Sequence, residues 1–132
     1  MKQKMCNAEI NTHVIAMMKV SKKKFSPVIN VVITRNFREI GKLNDDVLEE
    51  RKKLEAEYLE TEESGRIVLT ESGDPVPREG KRLKDYFKQV QEILDAETEV
   101  EIQTVPMAKI SKEKEATAND LILLDFMIDD SE

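Results

Sequence analysis

The chain has 132 residues, of which 39% are hydrophobic and 36% are charged, and its formal net charge is −6 at pH 7. An acidic protein of this kind has little general affinity for nucleic acid or for anionic membranes. Cys6 is the only cysteine, so no disulfide forms within the chain. With no signal-peptide pattern and no apolar run of membrane-spanning length, the sequence predicts a soluble intracellular protein.

The N-terminal region predicts a short strand followed by a helix. Apolar residues alternate with lysines over Met1–Met5, which favours a strand. Asn7 can cap a helix over about Ala8–Lys19, where apolar residues recur at helical spacing. Ser21–Lys24 is then expected to be a basic connector.

A long helix is predicted from Pro27 to about Glu60. Ser26 can cap it, and Pro27 suits its first turn because the missing N–H would have no intrahelical partner there. Gly41 and the Asn44–Asp46 cluster leave two helices joined at a kink as an alternative, but the unbroken apolar phase favours one helix. The stripe is expected to be buried as a narrow seam and comprises Ile33, Phe37, Ile40, Leu43, Val47, Leu54 and Tyr58.

The middle of the chain predicts a small hairpin and a second helix. Arg66–Thr70 reads as a strand, Ser72–Pro75 as a turn and Val76 as part of a short return strand. No internal repeat is apparent. The second helix covers about Gly80–Asp95, with Tyr86 and Ile93 beside a buried stripe of Leu83, Phe87, Val90 and Leu94.

The C-terminal region predicts a strand and a short helix. Thr98–Val105 alternates apolar and polar residues, with Val100 and Ile102 on its buried face, and it is expected to pair with the N-terminal strand. Thr117 and Asp120 are spaced as a capping box for a helix over Leu121–Ile128.

These elements predict a mostly helical α+β fold in a single domain, 1–132. A base, 1–43 and 97–132, holds the small two-stranded sheet. A protruding helical arm, 44–96, packs the long helix against a shorter one and has the β-hairpin at its tip. Because the long helix outruns its partner, a homodimer that completes the seam is expected.

No pattern predicts catalysis, a metal or a cofactor. His13 and Cys6 have no co-ligands at zinc-site spacing, so a partly buried structural histidine is expected. The paired carboxylates lie in runs that read as solvated, whereas acid–base catalysis needs a carboxylate with a shifted pKa. The four glycines form no phosphate-binding loop.

The candidate partner-binding residues are Lys22, Lys23 and Lys24 in the first connector, and Arg66 and Asp74 near the hairpin. The expected partner is a protein. For the three lysines, a solvated connector near a helix C-terminus is the favoured alternative, and weak nucleic-acid binding is another. Neither membrane binding nor sequence-specific nucleic-acid binding is expected.

Four segments, Met1–Ile10, Glu49–Leu54, Thr61–Gly73 and Glu99–Ile102, together resemble a family of small phage and prophage proteins from Gram-positive bacteria. That family is known only as a domain of unknown function. The order of elements is similar over nearly the whole chain, although Val28–Ile33 and the Lys22–Lys24 cluster depart from it.

This resemblance implies a phage-encoded, non-enzymatic protein–protein interaction module for virion assembly or host interaction. Such a protein would act in the host bacterial cytoplasm or on the virion, with a phage structural protein or a host defence protein as partner. The alternative is an anti-defence inhibitor, similar to an anti-CRISPR protein, that blocks the nucleic-acid channel of an immune nuclease. The resemblance transfers no catalytic residue.

Overall fold

The computed structural model describes residues 2–129 and shows a mostly helical α+β fold, which confirms the predicted fold class. The chain forms two compact units. The terminal unit comprises the residues up to Asn44 and those from Glu97 onward, and the central unit comprises Asp45–Ala96. The elements are β1 (Lys2–Cys6), α1 (Asn7–Val20), α2 (Pro27–Tyr58), α3 (Leu83–Asp95), β2 (Glu97–Glu101), β3 (Val105–Pro106), α4 (Met107–Ile110), α5 (Ala118–Leu123), a 3-10 turn (Asp125–Met127) and β4 (Ile128–Asp129).

One sheet of the terminal unit joins β1 to β2, which confirms the predicted pairing, and the two strands run antiparallel. Lys2 lies opposite Glu101 and Lys4 lies opposite Glu99, so each lysine of the strand faces a carboxylate. Opposite charges in directly facing positions stabilise a pair by about 0.2–1 kcal/mol. Met1, which the sequence assigns to the same strand, lies outside the described residues.

The core of the terminal unit is built almost entirely from aliphatic and methionine side chains. Val100 and Ile102 are buried in it, as their alternation with exposed residues predicts. Despite its β-branched composition, the start of α2 is helical because Ile29 and Ile33 are buried there, and tertiary packing overrides a weak intrinsic propensity. The fully enclosed members include Met5, Ile10, Met17, Val20, Ile40, Val105, Ile110, Leu124 and Met127.

Helix α2 is continuous from Pro27 to Tyr58, which confirms one helix across Gly41. Its buried row differs from the predicted heptad stripe and consists of Ile29, Ile33, Asn36, Ile40 and Asn44. Phe37 is 37% exposed, so its predicted place in the seam is wrong. Val47 and Leu54 are half-buried. The row follows the helix's own period of 3.6 residues, which carries buried positions away from a strict seven-residue repeat.

The core of the central unit centres on Leu59, Tyr86 and Val90. Leu83 and Leu94 of α3 pack against it, as predicted, but Phe87 is 52% exposed. Phe87 was therefore assigned wrongly, and the neighbouring Tyr86 takes the buried position.

The segment between α2 and α3 forms a closed ring of backbone hydrogen bonds. Glu60 N–H donates to Val76 O at 2.8 Å, Val68 N–H donates to Glu60 O at 2.9 Å, and Val76 N–H donates to Val68 O at 3.1 Å. The predicted strand at Arg66–Thr70 is thus reduced to single bridges within a three-segment arrangement. The bridged pairs are Leu59 with Pro77, Thr61 with Ile67, and Leu69 with Pro75.

The residues that form this ring follow each other at intervals of eight, which corrects the expectation of no internal repeat. The turn bonds recur in the same way, with Gly65 N–H donating to Glu62 O, Gly73 N–H to Thr70 O, and Lys81 N–H to Arg78 O. Gly65 and Gly73 each have a φ of 89°, a left-handed conformation that favours glycine. The repeat is hard to see in the sequence because few residues recur, chiefly Glu-Ser-Gly in the first two turns and the pair Val68 and Val76.

The predicted capping box at the C-terminal helix is present. The Thr117 hydroxyl accepts from the Asp120 N–H at 3.2 Å, and the Asp120 carboxylate accepts from the Thr117 N–H at 3.0 Å. The helix itself is shorter than predicted and ends at Leu123. Ile128 is unavailable to it because that residue pairs with Val105 in a parallel bridge between β3 and β4.

We expect the substitution Gly41→Ala to stabilise the protein. Gly41 lies inside α2, and a Cβ at this position meets nothing within 4 Å. Glycine in a helix interior costs about 0.5–1 kcal/mol relative to alanine, so the free energy of unfolding should rise by about that amount.

The matched control is Gly73→Ala, which is equally uncrowded but has a φ of 89°. It should lower the free energy of unfolding by about 1 kcal/mol, because a Cβ disfavours the left-handed region. Denaturant unfolding of both variants measures the difference. A destabilised Gly41→Ala variant would contradict an unbroken α2.

Candidate protein-interaction surface

Of the three lysines predicted to bind a partner or to form a solvated connector, Lys23 turns back into the protein. Its ammonium nitrogen lies 2.6 Å from Asp120 Oδ2 and 3.2 Å from Glu115 O. The Lys23 side chain is 32% exposed and that of Asp120 is 6% exposed. Lys23 is therefore not simply solvated, whereas Lys22 and Lys24 are exposed, and binding of a partner by the three lysines stays a prediction.

The connector is held by carboxylates that follow α4. The Lys24 N–H donates to the Glu115 carboxylate, and the Ser26 N–H donates to Glu113 Oε1 at 2.9 Å. Burial raises the pKa of Asp120, but hydrogen bonds from Lys23 and Thr117 outweigh burial, so its pKa lies below the ordinary 3.8. The lysine cluster thus stabilises the connector through intramolecular contacts of Lys23 and of the Lys24 backbone.

Arg66 and Asp74 belong to the central unit, whereas the three lysines belong to the terminal unit. Both residues are exposed and occupy equivalent places in the eight-residue repeat, each directly after a glycine with positive φ. The Asp74 carboxylate accepts from the Ser72 hydroxyl at 3.1 Å, and the Asp74 N–H donates to the Thr70 hydroxyl at 3.1 Å. Asp74 therefore stabilises its own turn.

An apolar groove between α1 and α2 was not predicted from the sequence. Its volume is about 200 Å³, and its lining residues are Met17, Met18, Ser21, Ile33, Thr34 and Phe37. Met18 is 56% exposed and Phe37 is 37% exposed, so two large apolar side chains meet solvent here. Small-molecule sites are typically about 300–1,000 Å³, so this groove suits one bulky side chain better than a whole ligand.

A row of exposed residues, one valine followed by three cations, lies beside that groove on α2. Val31, Arg35, Arg38 and Lys42 follow each other at intervals of four, three and four residues, and all four are exposed. Within residues 2–129, none of the three cations makes an ion pair, in contrast to Lys23, Lys53, Lys81 and Arg82. The row thus presents three exposed cations without a close ion-pair partner on a protein whose formal net charge is −6.

The groove and the row form one continuous surface. Thr34 lines both the apolar groove and a neighbouring groove of about 330 Å³ that contains Arg35 and Arg38. The two arginines also line a groove of about 440 Å³ that reaches Lys42 and Gln103 and includes the carboxylates of Glu39 and Glu101. We call the whole set the α1–α2 surface, and its residues are Met18, Val31, Thr34, Arg35, Phe37, Arg38 and Lys42.

His13 is half-buried, as the sequence predicts, and it packs against the C-terminal elements. Its ring stacks on Phe126 with centroids 4.0 Å apart and the ring planes 19° apart. The side-chain amide of Gln3 donates to Phe126 O at 2.7 Å on the same side of the unit. Burial lowers the pKa of His13, and the nearby Glu9 carboxylate only partly opposes that shift.

Among the described residues, no group of three or more histidine, cysteine, aspartate or glutamate side chains is placed to hold a metal ion. No helix within residues 2–129 combines the length and the apolar character that crossing a membrane requires. No protein-family model, curated protein or solved structure matches this chain. The resemblance to small phage proteins therefore stays a prediction.

We expect Lys23→Gln to destabilise the protein by about 1–3 kcal/mol, because it leaves the Asp120 carboxylate buried without its cation. Lys22→Gln and Lys24→Gln are matched controls whose effects should stay within about 0.5 kcal/mol, since both side chains are exposed. Denaturant unfolding at neutral pH compares the three variants. Equal effects at all three positions would show that Lys23 has no special structural role.

We expect the stability of the protein to fall as the pH drops below the ordinary histidine pKa of 6.5. Because burial lowers the pKa of His13 in the folded state, the unfolded chain takes up a proton before the folded protein does. His13→Gln should lose less stability between pH 7.5 and pH 5.5, about one unit either side of that pKa. Thermal unfolding across this range measures the difference, and parallel pH profiles for the two proteins would refute it.

Proposed function

We propose that this protein is a non-enzymatic protein-binding module whose partner contacts the α1–α2 surface. The observation that carries the proposal is the exposure of Met18 and Phe37 together in one apolar groove. Adjoining apolar side chains left open to solvent are typical of an interaction site. Covering them recovers about 25 cal/mol for each Å² of apolar area removed from water, which favours a protein partner.

The polar surroundings of the groove support the same proposal. Interaction sites commonly combine an apolar centre with a polar rim, and arginine is enriched in them. Arg35 and Arg38 lie within one helical turn of Phe37, and neither is engaged in an ion pair with a described residue. A partner could therefore use apolar contacts in the groove and hydrogen bonds at its edge.

The phage setting is part of the proposal and depends on the sequence resemblance alone. In that setting the partner is a virion component or a host protein, and the binding module acts in the host cytoplasm or on the virion. The homodimer expected to complete the apolar seam of α2 stays a separate prediction. Sedimentation of the purified protein over a wide concentration range tests it.

We expect Phe37→Ser to abolish capture of the partner and Phe87→Ser to leave it intact. Both phenylalanines are exposed on helices, but only Phe37 lines the groove. Truncating a hot-spot aromatic residue costs about 2 kcal/mol or more of binding free energy, which corresponds to a loss of at least about thirtyfold in affinity.

The measurement is a quantitative affinity pull-down from infected host cells with wild type and both variants, after thermal melts have shown that each variant is folded. A partner lost with Phe37→Ser alone supports the proposal. Recovery that depends on Phe87 and is indifferent to Phe37 would assign binding to the central unit and overturn it.

A further inference from the structure

We propose that the α1–α2 surface binds an acidic amphipathic helix, an inference that rests on the proposed function and names the chemistry of the partner. The observation behind it is that an apolar groove lies next to a row of cations, and these cations form no ion pair with the described residues. The occupant would place an apolar side chain between Met18 and Phe37 and carboxylates against Arg35 and Arg38.

The charges of the row are mutually unfavourable in the free protein. Arg35 and Arg38 are three residues apart and Arg38 and Lys42 are four apart, so each pair shares one face of the helix. Like charges at these spacings destabilise a helix by about 0.2–0.5 kcal/mol for each pair. Glu39 lies four residues after Arg35 and three before Lys42, so it offsets part of this repulsion without forming an ion pair, whereas Arg38 has no acidic residue at either spacing. Carboxylates from a partner would relieve the repulsion that remains.

The dimensions of the surface favour a helical segment. From Val31 to Lys42 the row rises about 16 Å at 1.5 Å per residue, which is about three helical turns. A helix that presents anchors at three- and four-residue spacing can follow this length while one apolar side chain fills the groove. An added β-strand is disfavoured because the backbone amides of α2 are bonded within the helix and offer no strand edge.

Nucleic acid is the competing class of ligand, and the charge balance disfavours it. Three cations can neutralise only a few phosphates, and the rest of the protein carries a net negative charge that repels the others. The apolar groove beside the row would also remain uncovered by a phosphate backbone. An acidic segment with apolar anchors satisfies both parts of the surface.

The test uses the full chain and a labelled synthetic peptide of about 18 residues, or five helical turns, with leucines on one face and glutamates beside them. Fluorescence anisotropy at low salt measures binding. A second peptide has lysine in place of every glutamate, and a duplex DNA of similar length is the phosphate probe. The protein variants are Arg35→Glu with Arg38→Glu, the single variant Phe37→Ser, and a control, Lys84→Glu with Lys88→Glu.

We expect the acidic peptide to bind wild type and the lysine peptide to bind at least about tenfold more weakly. The Arg35→Glu, Arg38→Glu variant should lose about tenfold or more in affinity for the acidic peptide, which is about 1.4 kcal/mol. Phe37→Ser should lose a similar factor. The control reverses the charges of Lys84 and Lys88, which are exposed on α3 and form no ion pair with the described residues. It should change affinity by less than about twofold.

Four results would overturn the inference. They are equal binding of both peptides, equal loss in the two charge-reversed variants, tighter binding of the DNA than of the acidic peptide, and no binding up to about 1 mM, a free energy of only about −4 kcal/mol. If both peptides bind equally and only Phe37→Ser weakens them, the acidic chemistry fails while the protein-binding module stands. Failure of the module itself is judged separately, by the pull-down with Phe37→Ser and Phe87→Ser.

Discussion

The hydrogen-bonded contact between Asn36 and Gln103 fixes the rotation of α2 in the terminal unit. The Asn36 side chain donates from Nδ2 to Gln103 O at 2.9 Å and accepts from the Gln103 N–H at Oδ1, also at 2.9 Å. The Asn36 side-chain amide thus bonds both backbone groups of Gln103, just beyond β2, as a residue of a neighbouring strand would. Because Asn36 is buried, losing either bond would leave a polar group without water, at a cost of about 1–3 kcal/mol.

This contact also determines which residues of α2 reach solvent. Asn36 lies in the same row as Ile33 and Ile40, so holding it against Gln103 points that row at the core. Arg35 and Arg38 are then carried to the open side and Phe37 to the boundary with α1. A buried polar residue can specify one packing arrangement among several apolar alternatives, as a single asparagine does in coiled coils.

The main elements of the terminal unit, β1, α1, α2 and β2, were predictable, but the short elements β3, α4 and β4 and the phase of α2 were not. Local signals sufficed for Pro27 at the start of α2 and for the Thr117 capping box, because each depends on neighbours in sequence. The buried row of α2 was not predicted because two of its positions are asparagines, and a search for apolar periodicity does not count polar residues. The bond that makes Asn36 acceptable there joins residues 67 positions apart.

The candidate site shows the same division between local and distant information. A sequence reading finds the lysine cluster but cannot show that Lys23 meets Asp120, since the pairing depends on how the connector folds. On α3, both Tyr86 and Phe87 fit an amphipathic pattern, and only the packing of the central unit distinguishes them. The recurrence of Glu-Ser-Gly at Glu63–Gly65 and Glu71–Gly73 was a usable signal for the repeat, although the third turn lacks the serine.

The ring of bonds between α2 and α3 makes that segment a self-terminating β-structure. At its centre, Glu60, Val68 and Val76 each donate one backbone bond and accept another, so each is paired on both sides. An ordinary hairpin leaves an outer edge on which a foreign strand can add, and proteins must protect such edges against aggregation. Here the third segment occupies the edge of the first, and the Arg78 N–H donates to Tyr58 O where the chain returns. The backbone groups of the central ring are therefore already hydrogen-bonded within the segment, so a strand from another molecule cannot add to them and start polymerisation.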